Sequence, residues 1–156
     1  MNYRRGEACL SRERRLIIFF QLPKGIGEPI EWKPIPERTR RFQFEVDVYS
    51  AETDARLQLM GRLGFKHWSY VLLGPQSTRL RRISIPRDPH RNPDGVEMPP
   101  QHKHLWSEDH EDREVYIPND IHWNNYNQAL RDFVQECNIT LLHPYADFSI
   151  QARLAL

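Results

Sequence analysis

From Phe42 to Val48 the chain alternates without a break, with Phe42, Phe44, Val46 and Val48 on one side and Gln43, Glu45 and Asp47 on the other. A period of two does not fit a helix; it specifies a half-buried strand, because successive strand side chains point to opposite faces. After a polar turn at Ser50 to Asp54, Leu57, Leu59 and Leu63 resume the alternation against Arg56, Gln58 and Arg62. That is the pattern of a hairpin partner. Further strands are expected at His67 to Leu73 and Thr78 to Ile85, around a Gly74-Pro75 turn, and again at His102 to Trp106 and Glu114 to Ile117. The short apolar run Arg15 to Leu22 (RLIIFFQL) reads as a buried strand, and the Pro- and Gly-rich stretch Pro23 to Pro36 as loop. Between Pro86 and Gln101 five prolines exclude regular structure.

One helix is expected. With Asn119 or Asp120 as N-cap, Trp123, Tyr126, Leu130, Phe133, Val134 and Cys137 recur at helical spacing, giving a helix over Ile121 to Cys137. The tail from Cys137 to Leu156 is ambiguous, with a turn near His143-Pro144. The expected architecture is α+β: an antiparallel sheet of about five to seven strands with one main C-terminal helix packed on it. A length of 156 residues suits a single domain, 1–156, with residues 1–14 as a flexible N-terminal arm.

Composition narrows the function class. The chain is 39% hydrophobic and 28% charged, ordinary for a globular domain. Its longest apolar run, Leu16 to Phe20, is far short of the roughly 20 residues a membrane helix needs, so no membrane association is expected. The arginine-studded stretch Met1 to Arg15 lacks the features of a secretory signal. Cys9 and Cys137 imply no disulfide framework, and the expected compartment is the cytoplasm. Cys137 continues the apolar stripe of the helix and reads as core. Net charge is +1, but arginines cluster at Arg4–Arg5, Arg12/Arg14/Arg15, Arg38/Arg40/Arg41 and Arg79/Arg81/Arg82, balanced by the acidic run Glu108 to Glu114. Sharing a face, such arginines attract anions; dispersed, they are solvated strand edges. Arg79, Arg81, Arg40 and Arg41 are the nucleic-acid-binding candidates.

Five of the seven histidines lie between His90 and His122. Asn92-Pro93-Asp94-Gly95 is strong turn chemistry that holds His90 at its mouth. On a strand His102 and His104 share a face, as do Arg82 and Ser84 on the strand before. The expected site is two neighbouring strands presenting these four residues, with His90 on the loop above. Two histidines near neutrality serve as general base and acid, and arginine stabilises charge on phosphorus. RNA suits such metal-free machinery because its 2′-hydroxyl supplies the nucleophile. His102 and His104 are then the acid–base candidates, Arg82 the phosphate binder and His90 an auxiliary donor. A second reading is a divalent transition metal on His102, His104 and Glu108, since His-x-His on a strand is a frequent ligand pair and the Gly95 to Glu108 spacing is close to the first metal motif of the cupin barrels. In the third, the histidines are structural or merely exposed, the better reading for His67, His110 and His143.

The pattern Arg82-x-Ser84, His90-x-Asn92-Pro93-Asp94-Gly95 and His102-x-His104-x-Trp106, followed by the helix ending at Phe133 to Ile139, resembles a group of small uncharacterised proteins from bacteria and their phages. It is also distantly similar to the TumE-like toxins of toxin–antitoxin pairs. The resemblance covers Thr78 to Ile139. It implies a setting of mobile elements and a site at Arg82, His90, His102 and His104. Ser84 stands where those proteins carry aspartate, and Asp88 lies four residues further on.

The leading expectation is therefore a toxin-like or phage-associated effector with possible ribonuclease activity, acting on RNA without a cofactor. A cognate antitoxin would be the protein partner of such a toxin. The alternative is a non-enzymatic interaction protein, a phage inhibitor of a host defence protein or an antitoxin-like partner. Its aromatics Trp32, Trp68 and Trp106 would then anchor the interface.

Overall fold

The computed structural model describes residues 12–85, 89–107 and 109–154. Cys9, Asp88, Glu108 and the N-terminal arginine side chains up to Arg15 lie outside what is described. The fold is α+β, mainly a large and mostly antiparallel sheet. Its long strands are β3 (Phe42–Ser50), β4 (Thr53–Leu63), β5 (Trp68–Leu73), β6 (Arg79–Ile85), β9 (His102–Ser107) and β10 (Glu111–Tyr116). Short strands β1 (Lys24–Ile26), β2 (Lys33–Pro34) and β11 (Ile139–Leu141) complete it, and β7 (His90–Arg91) with β8 (Glu97–Met98) forms a separate two-stranded ribbon. The order is β10-β9-β6-β5-β4-β3-β1-β11, with β2 on β3. Among the described residues the sheet therefore has nine strands, more than the five to seven expected. The additions are β1 and β11, a parallel pair too short to show alternation in sequence, and the two-residue β2.

The alternation of β3 and β4 reappears as their burial pattern. Phe44 lies opposite Gly61, and a methyl group at Gly61 would fall 2.1 Å from the Phe44 ring, so the ring needs a partner without a side chain. One sheet face carries the core: Val46, Leu59 and Leu72 form one row, and Tyr70 with Ile83 continues the next.

Helix α2 (Tyr126–Glu136) packs on this face through Ala129, Leu130, Phe133 and Val134. Each fully buried large apolar side chain contributes about 1.5–3 kcal/mol. The helix begins at Tyr126 rather than Ile121, because Asn125 and neither Asn119 nor Asp120 is the cap: its side chain accepts from the backbone N–H of Asn127 and Gln128. Cys137 is fully buried at its end, and burial pushes the thiol well above its usual range. Trp123 stacks near Trp68, and the Tyr126 hydroxyl donates to the Phe148 carbonyl, so both belong to the packing.

The run expected as a buried strand is helix α1 (Arg12–Gln21) instead. Leu16, Phe19 and Phe20 turn inward at spacings of three and four while Ile17 and Ile18 are exposed, a helical face hidden in an unbroken apolar run. Lys24, buried, closes it by donating to the carbonyls of Phe19, Phe20 and Leu22. A final helix, α3 (Ile150–Leu154), buries Ile150. None of the described helices is long and apolar enough to cross a membrane.

Candidate functional site

Strand pairing sets the site. Arg82 lies opposite His104 and Ser84 opposite His102, as the period-two reading requires. Continued outward, one row on the face away from the core runs Met60, Val71, Arg82, His104, Val115, and the next runs Arg62, Ser69, Ser84, His102. The β7–β8 ribbon belongs to this face. Its turn is closed by Gly95 N–H to the Asn92 carbonyl and Val96 N–H to the Asp94 carboxylate, with Gly95 at φ 87°, a conformation that favours glycine. The Asn92 side chain then imitates a neighbouring strand, donating to the Val115 carbonyl and accepting from the Val115 N–H. This clamp brings His90 to the other two histidines: ring centroids are 5.3 Å apart for His90–His102, 5.6 Å for His90–His104 and 4.8 Å for His102–His104.

A bulge in β10 orients the rings. The β9–β10 register shifts between Glu111 and Glu114, with Glu111 at positive φ. The carbonyls of Asp112 and Arg113, unused in the ladder, accept from His104 Nδ1 at 2.6 Å and from His90 Nε2 at 2.6 Å. His102 Nδ1 donates to the Pro99 carbonyl at 2.9 Å.

Proton accounting then meets a conflict. With each Nδ1–H on a carbonyl, both Nε2 atoms carry lone pairs, and they face one another at 3.1 Å. A proton shared between them would place a positive charge beside Arg82, whose guanidinium is 2.9 Å from His104 Nδ1. Burial first, and then Arg82, holds His104 down at about 3. Burial also lowers His102. The neutral alternative puts the proton on His104 Nε2 and lets Nδ1 accept from Arg82, which leaves the Asp112 carbonyl against a lone pair.

His102 and His104 are 1% and 2% exposed. Buried and neutral, neither is placed to pass a proton to a substrate; His90, half-buried, is the member of the cluster that solvent reaches.

The arginines divide. A register shift between Leu72 and Leu73 lets Arg79 and Arg82, three residues apart, share the outer face, where both meet the Asp112 carboxylate at 3.2 and 3.4 Å. Arg81, expected on the surface with Arg79, turns to the core face, where it pairs with Glu136 at 3.1 Å and lies over the Phe20 ring. Arg40 and Arg41 are exposed at the start of β3, three strands or roughly 14 Å from β6, and line a separate cavity with Trp32 and Arg153. A residue the sequence did not single out joins instead: Arg62 lines, with Ser69, Ser77, Arg79 and Arg82, a groove of about 270 Å³ floored by Met60 and Val71. Its parity with Gln58 was the available signal.

The three histidines read as structural or merely exposed stand apart from the cluster: His67 and His143 are exposed and His110 is half-buried. The sheet is open, with β10 and β11 as its edges among the described residues, so the cupin-barrel reading does not fit.

No curated protein and no solved structure matches the chain. One family does, over residues 31–139, a stretch that takes in β2 to the start of β11 and with it the histidine cluster, the groove and α2. The chain belongs to DUF6978, a family of unknown function.

Proposed function

We propose that this chain is a toxin-like or phage-associated effector that acts on RNA, holding a backbone phosphate in the Arg62–Arg79–Arg82 groove where it abuts the histidine cluster. One observation carries the reading: Arg82 lines the groove and also stands 2.9 Å from His104, so anion binding and the imidazoles share a boundary. Guanidinium groups suit phosphate because their planar donor fork matches its oxygens, and the half-buried apolar floor of Met60 and Val71 offers a surface for a base or sugar. RNA is favoured over DNA because its 2′-hydroxyl places a nucleophile next to the bound phosphate.

The test is expression in a bacterial host of the wild type, Arg62→Ala/Arg79→Ala and His90→Ala, scored for growth and total RNA integrity. Growth arrest with RNA loss is expected from the wild type, relieved in both variants. Harmless, soluble wild-type expression, or arrest undiminished by either variant, overturns the reading.

A second reading is favoured by the burial of His102 and His104, which suits a scaffold: an inhibitor or antitoxin-like protein that binds a host defence protein. It predicts a stoichiometric protein partner whose capture is indifferent to His90→Ala.

A further inference from the structure

We infer that His90, His102 and His104 form a binding site for a borderline divalent transition metal of the zinc class. The inference stands on the geometry of the three rings and not on the RNA reading, so the two fail separately.

The Nε2 atoms of His102 and His104, 3.1 Å apart, are close to the roughly 3.3 Å that separates two nitrogens around a tetrahedral zinc with bonds near 2.0 Å. The three ring centroids form a nearly equilateral triangle with sides of 4.8, 5.3 and 5.6 Å, which leaves His90 a short movement from joining the other two around one ion. Each ring also has its other nitrogen on a backbone carbonyl: Pro99 for His102, Asp112 for His104 and Arg113 for His90. Such outer bonds fix the tautomer and orientation of ligating histidines. They leave lone pairs on Nε2 of His102, Nε2 of His104 and Nδ1 of His90.

A metal resolves what a proton does not. In the metal-free neutral pair either the lone pairs of the two Nε2 atoms collide or one ring turns an Nδ1 lone pair on a carbonyl, Asp112 for His104 or Pro99 for His102. With an ion between them, both Nδ1–H groups keep their carbonyls and both Nε2 lone pairs are used; Arg82, whose N–H then faces the His104 Nδ1–H at 2.9 Å, must turn to the Asp112 carboxylate 3.4 Å away. That carboxylate also offsets the positive charge beside the site. Among the described residues no three ligands already stand around a common point, so binding requires His90 to close onto the other two. Three neutral imidazoles suit zinc, copper, nickel or iron(II) over magnesium or calcium, which take oxygen. Three protein ligands leave a fourth position for water or a substrate oxygen, the form of a catalytic metal site.

The experiment is a titration of chelator-stripped full chain, purified without metal-affinity resin, with zinc and separately with cobalt(II). Expected are one equivalent of zinc per chain, a raised Tm, and the intense visible absorption of tetrahedral cobalt. His90→Ala, at a half-buried position, should fold and lose affinity about 100-fold or more, while His122→Ala on the exposed surface keeps wild-type binding. Absence of both the Tm rise and the cobalt spectrum in the wild type overturns the inference. So does undiminished affinity in His90→Ala, which would mark an adventitious ion only. The wild-type spectrum decides the matter even if the variant misfolds.

Discussion

Strands β6 and β9 carry two polar clusters back to back, and the two are built differently. On the core face Lys103, 1% exposed, meets Glu136 at 2.8 Å and Asp120 at 3.2 Å, and Glu136 also holds Arg81 at 3.1 Å. Every charge there has an opposite number, and the set ties β6 and β9 to the end of α2. On the outer face, from the alternate residues of the same strands, Arg82 leans on a histidine and two imidazole nitrogens oppose each other at 3.1 Å. The inner cluster sets opposite charges against each other in ion pairs, with Arg81 Nε and Glu136 Oε2 lacking a hydrogen bond among the described residues. The outer one sets like against like, donor beside donor or lone pair beside lone pair, and an ion between the imidazoles would relieve the opposition of their lone pairs.

The contrast is broken most severely from the inside. Glu136→Ala leaves Lys103 and Arg81 without their shared partner, and a loss of about 3 kcal/mol is expected in urea unfolding. Zinc binding by the folded fraction should be unchanged, because the outer cluster does not use Glu136.

How much of this contrast was legible follows from the same strands. The long strands and the opposition of Arg82 to His104 and Ser84 to His102 were readable, because period two in a half-buried sheet leaves little choice. The placement of Arg79 was not. In a regular strand Arg79 and Arg81 share a face and Arg82 opposes them; the register shift opposite Leu72 and Leu73 reverses that, and nothing in the local residue types announces it. The β10 bulge was hidden for the same reason, lying in an acidic run that reads as solvated surface. Helix α1 was missed because a wholly apolar run such as Leu16 to Phe20 carries no period at all.

The outer cluster is sharpened by its clamp. Asn92→Ala removes both bonds to Val115 and should cost about 2 kcal/mol, with accelerated hydrogen exchange confined to the Val115 amide and the β7–β8 ribbon. Gly95→Ala strains the same turn at φ 87°, for about 1 kcal/mol by the same unfolding assay. The smallest effect is expected where an ion pair belongs to neither cluster. Burial by itself would raise the Asp132 carboxyl, but hydrogen bonds from the His122 ring, Gln128 and the His122 backbone together hold it below its usual range. As pH falls, the unfolded chain takes up this proton first, so the contribution is complete above about pH 4 and fades as pH drops through the lowered value. Asp132→Asn should therefore cost less than about 1 kcal/mol at pH 6, His122 being well exposed, and the gap between variant and wild type should close on acidification.

The bulge that turns the Asp112 and Arg113 carbonyls onto histidines has an effect beyond the site. Strand β10 is the outermost of the sheet at that end, and a straight edge strand offers its free backbone groups to any passing chain. Here the Arg113 carbonyl is taken by His90 and both backbone groups of Val115 by Asn92, and the kink at Glu111 breaks the line of those that remain. The same irregularity that aims the imidazoles makes this edge a poor template for strand addition and lets the sheet end where it does.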